Sequence, residues 1–228
     1  MDNSVGRLQS LFPGRQFDVI VGSMLGDGRL ECRSKGIRGS KTARFRVHHG
    51  EKQSAYVSWK YDVLRSMSLA PPRTITRHDA KRVINETSHY FHTRSMPELG
   101  VLHELFYTAS KKRIPNNLNQ CITPRMLAVW YMDDGSYMGS GCTFNTHSCS
   151  SDEQQYLRTI LSDVFDIETS LVKDRHQYKI ALGAHEFPKL VEIIRPHVIQ
   201  SMSYKIAYPR NDSFRLRNGV TTHEASVL

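Results

Sequence analysis

The chain has 228 residues, enough for one large domain or two small ones, and its 31 Lys plus Arg against 22 Asp plus Glu leave a formal charge of +9. That balance favours a polyanionic partner, and the basic residues fall in short groups ("RLECR", "KGIRGSKTARFR", "KKR", "RNDSFRLR"), as contacts spread over successive phosphates require. No apolar run reaches about 18 residues and the N-terminus carries no signal-peptide core, so the expected setting is a prokaryotic cytoplasm or an organelle matrix, neither membrane-bound nor secreted.

The first element expected is a helix from Phe17 to Leu25. It is followed by Asp-Gly and by two strands, "RLECR" and "ARFRVHH", in which apolar and polar residues alternate, joined through the basic loop "SKGIRGSK". "SAYVSWKYDVLRSM" places Tyr56, Trp59, Val63 and Met67 at helical spacing, and the prolines of "LAPP" end it. "RTITR" and "HYFHT" form a second hairpin around "HDAKRVINETS", and a helix runs from about Met96 to Thr108. "KKRIPNNLNQCITP" reads as a linker. The same order then recurs: a helix from Pro124 to Asp133, two strands in "GSYMGSGCTFNTHS", a helix in "DEQQYLRTILSDVF", two strands in "TSLVKDRHQYKIAL" and a helix in "HEFPKLVEIIRPHV". The pattern predicts an α+β protein of two pseudo-symmetric αββαββα repeats, at 15–113 and 124–210, joined by 114–123 and followed by a tail at 211–228. Cys32, Cys121, Cys142 and Cys149 show neither a C-x-x-C pair nor zinc-finger spacing and are expected to be reduced, packed thiols.

Each repeat opens on a helix that ends badly. Asp27 and Asp134 occupy equivalent places at helix C-termini, where the macrodipole already puts negative partial charge. The nonapeptides "IVGSMLGDG" and "LAVWYMDDG" resemble the paired motifs of the LAGLIDADG homing endonucleases. The likeness extends through "SLAPP", "KKRIPNN", "TPRMLAVWYMDDGS", "FNTHS" and "IRPHVIQSMSYKI" to the double-motif, monomeric branch that includes the mitochondrial omega-intron endonuclease. The resemblance implies two four-stranded sheets forming a saddle on DNA, with the motif helices packed at the interface of the repeats. It implies hydrolysis of both strands of a long asymmetric target by a monomer, with short 3′ overhangs.

By motif position, Asp27 and Asp134 would bind the metal through their carboxylates, and Gly26 and Asp133 through their carbonyls. The Asp133 side chain is read as a supporting or exposed carboxylate rather than a direct ligand. Mg²⁺ suits such a site because it takes oxygen ligands and keeps several waters, and Mn²⁺ should substitute. Lys112 and Lys205 match the family's active-site lysines, with Lys111 as the alternative if the alignment slips by one. Gly22 and Gly26 lie on one helix face, which permits close packing and accommodates Val129.

The histidines, including His49, are read as surface or DNA-contacting groups. Strand alternation turns Arg29, Glu31, Arg33, Arg44, Arg46 and His48 toward the DNA if Leu30, Cys32, Phe45 and Val47 face the helices. In the second repeat Asn145, His147, Lys173, Arg175 and Lys179 are the corresponding candidates. Arginine can bond guanine through two hydrogen bonds and glutamate can accept from cytosine, so the face has the chemistry of base readout. An RNA maturase and a non-catalytic DNA-binding regulator are the alternatives, and the intact pairs of aspartates and lysines argue against both.

Overall fold

The computed structural model describes residues 12–32, 42–79 and 84–207. Arg33, the "SKGIRGSK" loop, the end of the second repeat and the tail expected at 211–228 lie outside the described residues.

The first repeat is built from helix α1 (Gly14–Leu25), strands β1 (Arg29–Cys32) and β2 (Ala43–Gly50), helix α2 (Ser54–Leu64), strands β3 (Arg73–Asp79) and β4 (Ile84–His92), and helix α3 (Pro97–Phe106). A short ladder of β5 (Tyr107–Thr108) and β6 (Lys111–Lys112) follows, where the sequence suggested that α3 would continue. The second repeat has α4 (Pro124–Asp134), β7 (Gly135–Tyr137), β8 (Cys142–Phe144), α5 (Ser151–Phe165), β9 (Ser170–Asp174), β10 (Gln177–Leu182) and α6 (Glu186–Ile194). The two four-stranded antiparallel sheets have the same topology, β1-β2-β4-β3 and β7-β8-β10-β9. The α+β repeat expected from the sequence is therefore the fold.

Local chemistry explains the boundaries. Pro124 occupies the first turn of α4, where its missing N–H costs nothing, and the Thr123 hydroxyl accepts from the Met126 N–H. Ser150 and Glu153 close a reciprocal capping box at the start of α5. Strands β3 and β4 are longer than expected, pairing as far as Asp79 with Ile84, because their polar cross-strand pairs hid the alternation. Thr74 bonds His89 at 3.2 Å, Thr76 bonds Thr87 at 3.2 Å and His78 bonds Asn85 at 3.1 Å.

The helices cover one face of each sheet, and α1 and α4 pack against each other at the centre. Leu30, Phe45 and Val47 are buried beneath them, as are Phe144, Ile180 and Leu182 in the second repeat. On α2 the buried stripe is Tyr56, Val57, Lys60 and Leu64, one step round from the one expected: Trp59 and Val63 are only half-buried. A lysine at a buried position disguised the true face. The expected linker is itself packed, with Ile114, Leu118, Cys121 and Ile122 buried. Tyr156 of α5 donates to the Asn116 carbonyl at 2.6 Å, and Glu153 accepts from the Ile114 N–H at 2.9 Å.

The approach of α1 to α4 is set by glycine. A Cβ on Gly22 would stand 2.6 Å from the Met126 carbonyl and 2.8 Å from the Val129 Cβ, and one on Gly26 would stand 2.5 Å from the Asp133 Cβ. These neighbours are backbone and first side-chain carbons, which cannot swing away. Gly22→Ala is expected to destabilise the protein by about 1–3 kcal/mol through overpacking, measured by urea denaturation; an unchanged midpoint would contradict the contact.

Candidate active site

Glycine packing brings the ends of α1 and α4 together, and with them Asp27 and Asp134. Their mutual repulsion is part of the site's electrostatics: burial, then Asp27 and Asp133, push Asp134 up to about 7. Asp27, whose side chain is 52% exposed, is raised as well, by burial first and by Asp133 next, against the opposing charges of Lys60, Lys112 and Lys205.

The two expected lysines sit on the helix ends in matching fashion. Lys112 Nζ donates to the carbonyls of Gly26 at 2.7 Å and Gly28 at 3.0 Å. Lys205 Nζ, reached from the turn after α6, donates to the carbonyls of Met132 at 2.5 Å, Asp133 at 3.3 Å and Tyr131 at 3.4 Å. Lys111 is exposed, so it is Lys112 that reaches the centre. Each ammonium satisfies orphan carbonyls and offsets the negative end of a helix. Burial lowers the pKa of both lysines, and the surrounding aspartates oppose that shift.

Asp133 turns away from this cluster. Its carboxylate is buried and held by Lys60 Nζ at 2.7 and 3.0 Å, across the boundary between the repeats. Tyr56 lies against the same ammonium, 4.4 Å from ring centroid to nitrogen. His49 closes the cluster, with Nε2 3.4 Å from Lys60 and 3.9 Å from Asp133, and Nδ1 3.8 Å from Asp27. Burial, and then the Lys60 charge, lower His49 to about 4, so the ring is neutral at pH 7. The expectation of a surface or DNA-contacting His49 is thus corrected: alternation from Val47 turns it inward, behind Asp27. Lys60 was missed, and its only sequence signal was a charge at helical spacing between Tyr56 and Leu64.

The donor set suits a hard divalent cation. Two carboxylates converge with the carbonyls of Gly26 and Asp133, each of which keeps a second lone pair beside its lysine bond. Among the described residues no three His, Cys, Asp or Glu side chains form a metal-binding group.

Register fixes the outer face of each sheet. Arg29 lies opposite Arg46, and Glu31 opposite Arg44, all on the face away from the helices, with His48 exposed beside them. Pairing through β4 adds His92, Tyr90 and Ser88 to that face, and β3 adds Arg73 and Arg77; of these only the histidine fell within the expectation. In the second sheet Lys179 pairs with Val172 on the outer face, while Lys173 pairs with Tyr178 on the side of Ile180. Lys173 therefore belongs to the other face at the far end of its strand, which corrects its placement. Arg175 sits in the β9–β10 turn with φ of 58°. Asn145 and His147 follow the end of β8 and flank the buried Thr146, as expected.

A sequence profile of the LAGLIDADG DNA endonuclease family matches residues 17–190. The chain belongs to that family. Within it, this LAGLIDADG protein is 28% identical over 216 residues to the DNA endonuclease I-ChuI of Chlamydomonas applanata, covering 85% of this chain and 94% of that one. It is 28% identical over 218 residues to the cytochrome b mRNA maturase bI2 of Saccharomyces cerevisiae, covering 90% of this chain but only 49% of the maturase. The fold matches that of the homing endonuclease I-WcaI, solved bound to its DNA recognition sequence, with a TM-score of 0.76 and 20% identity over 90% of this chain and 92% of that one. Among the described residues no helix is long and apolar enough to cross a membrane.

Two measurements test this arrangement. Lys60→Met strands a buried carboxylate and should cost about 3–5 kcal/mol of stability, most of it recovered when Asp133→Ala is added; equal stability of Lys60→Met and the unsubstituted protein would refute the pairing. The second is a pH series without metal. A carboxylate whose folded pKa lies near 7, above its ordinary value of 3.8, withdraws stability as pH rises between those values. His49, lowered from 6.5 to about 4, adds stability over part of the same range. The difference in stability between the unsubstituted protein and Asp134→Asn should therefore fall as pH rises from 4 to 7 and level off above it.

Proposed function

We propose that the chain is a divalent-metal-dependent, site-specific double-strand DNA endonuclease that acts as a monomer on a long, asymmetric target. The observation that carries this reading is the convergence of Asp27 and Asp134 at the ends of two helices that touch through glycine, each end held by a buried or half-buried lysine.

Asp27 and Asp134 hold the cation, Mg²⁺ or Mn²⁺ in its place, with the Gly26 and Asp133 carbonyls beside them. When bound, the cation supplies charge stabilisation at the scissile phosphate and a more acidic water. Asp134, pushed up to about 7, would bind the cation in its ionised form, so occupation of the site should be favoured by rising pH. Lys112 and Lys205 rest on main-chain carbonyls and can transfer their hydrogen bonds to phosphate oxygens as charge develops there. Asp133 contributes its carbonyl alone, because its carboxylate belongs to Lys60. His49 is a neutral ring next to Asp27: its Nε2 accepts from the Lys60 ammonium, so Nδ1 carries the hydrogen and turns it toward the Asp27 carboxylate.

The outer sheet faces supply recognition. Arg29, Arg44, Arg46, His48, Tyr90, Arg73 and Arg77 on one side, and Lys179, His147, Asn145 and Arg175 on the other, offer guanidinium, ammonium, imidazole and amide groups to base edges and phosphates. The sheets share a topology but not their side chains, so the two half-targets differ.

A second reading, an RNA maturase, is supported by the similarity to the yeast protein, of which this chain spans about half the length. One experiment separates the two. Asp27→Asn and Asp134→Asn should each lower double-strand cutting by about three orders of magnitude while duplex binding stays within about threefold. Normal cutting by either variant would remove the aspartates from the chemistry. Intron RNA binding without any DNA cutting by the unsubstituted chain would favour the maturase.

A further inference from the structure

A carboxylate is out of place on a surface that approaches phosphates, yet both sheets carry acids there, Glu31 on the first and Asp174 on the second. Glu31 lies on the outer face of β1 with its side chain only 17% exposed. Its Oε2 accepts from Arg44 Nε at 2.8 Å and lies 2.6 Å from Arg44 Nη2. Its Oε1 lies 3.5 Å from Arg46 Nη1 and 3.9 Å from Arg29 Nε. In the second sheet Asp174 Oδ2 lies 3.1 Å from Lys179 Nζ and 3.3 Å from His147 Nε2.

We propose that Glu31 is a specificity-determining positioning residue: it fixes which edge of the Arg44 guanidinium is offered to a base, and it reads no base itself. This rests on the reading of the outer face as a DNA-binding surface.

A guanidinium has two edges able to make paired hydrogen bonds, Nε with Nη2 and Nη1 with Nη2. Glu31 occupies the first in Arg44, which leaves the second as the edge Arg44 can offer a base, and that second edge matches the O6 and N7 acceptors of guanine. Both carboxylate oxygens of Glu31 are occupied by cations, so little of its capacity remains for a cytosine amine. Burial by itself would raise the Glu31 carboxyl; the Arg44 hydrogen bond and charge, followed by Arg46 and Arg29, outweigh it and hold it below its ordinary value. The acid therefore stays ionised and keeps its grip. A fork held in one orientation loses less freedom on binding and tolerates fewer bases than one free to turn. Asp174 holds Lys179 and His147 in the same manner, tying the end of β8 to the far hairpin.

The test uses the full chain and a library of randomised DNA duplexes in the presence of EDTA, so that nothing is cut. The duplex preferred by the unsubstituted protein is then varied one base pair at a time. Glu31→Ala should lower discrimination by about tenfold at the base pairs where Arg44→Ala lowers it. The same variant should bind random-sequence duplex about two- to threefold more tightly, because a negative charge has left the surface. Glu31→Gln, which keeps the shape and one acceptor oxygen, should fall between, and it stands in if the alanine variant is unstable. In the Arg44→Ala background, Glu31→Ala should cause no further loss at those base pairs. Losses that add, or that fall on base pairs indifferent to Arg44, would make Glu31 a direct reader and overturn the inference. If the unsubstituted protein selects no sequence at all, the reading of the face fails, and this inference with it.

Discussion

The contact between α1 and α4 decides where every charge at the centre can sit. Because Gly22 and Gly26 lack side chains, two backbones meet with no space for water between them, and the two helix ends arrive at one place. Negative partial charge from two sets of terminal carbonyls, together with three aspartates, accumulates in a partly dehydrated volume. Left alone this would be strongly unfavourable. Lys112 and Lys205 neutralise the carbonyl ends, and Lys60 neutralises the one carboxylate that is fully enclosed. Among the described residues no lysine bonds Asp27 or Asp134 directly, and both carboxyls hold protons more tightly.

The division of labour between the adjacent Asp133 and Asp134 follows from which way each side chain leaves the helix. Asp133 points toward α1, where only a glycine could admit it, and finds a lysine behind that glycine. Asp134, the last residue of the helix, is half-buried. Two neighbouring acids therefore acquire opposite properties, one spent on joining the repeats and the other available at the surface.

Much of this was legible in the sequence because it is written in short-range patterns. The repeated apolar run ending in Asp-Gly, and the alternation through Leu30, Phe45 and Val47, are local, and the structure follows them. The Lys60 pairing was not legible, since its partner is 73 residues away and a lysine spoils the helical stripe that would reveal the buried face. His49 was misplaced because a histidine at an inward position still counts as polar in any alternation rule. Lys173 was misplaced because the strand register there is set by a tight turn at Arg175 in the left-handed region, which no hydrophobic pattern announces. The lengths of β3 and β4 were hidden because threonine, histidine and asparagine face one another across the hairpin and leave neither side apolar.

The Lys60–Asp133 pair also says something about why the two repeats share one chain. In a symmetric dimer every residue near the axis meets its own copy, so an aspartate at the seventh motif position would meet an aspartate. Covalent linkage of two repeats removes that requirement. One helix can keep a glycine where the other grows an acid, and only one repeat needs the lysine that receives it. The halves have thereby become complementary rather than interchangeable: a pairing of two second halves would set acid against acid, and a pairing of two first halves would bury two ammonium groups with no counterion.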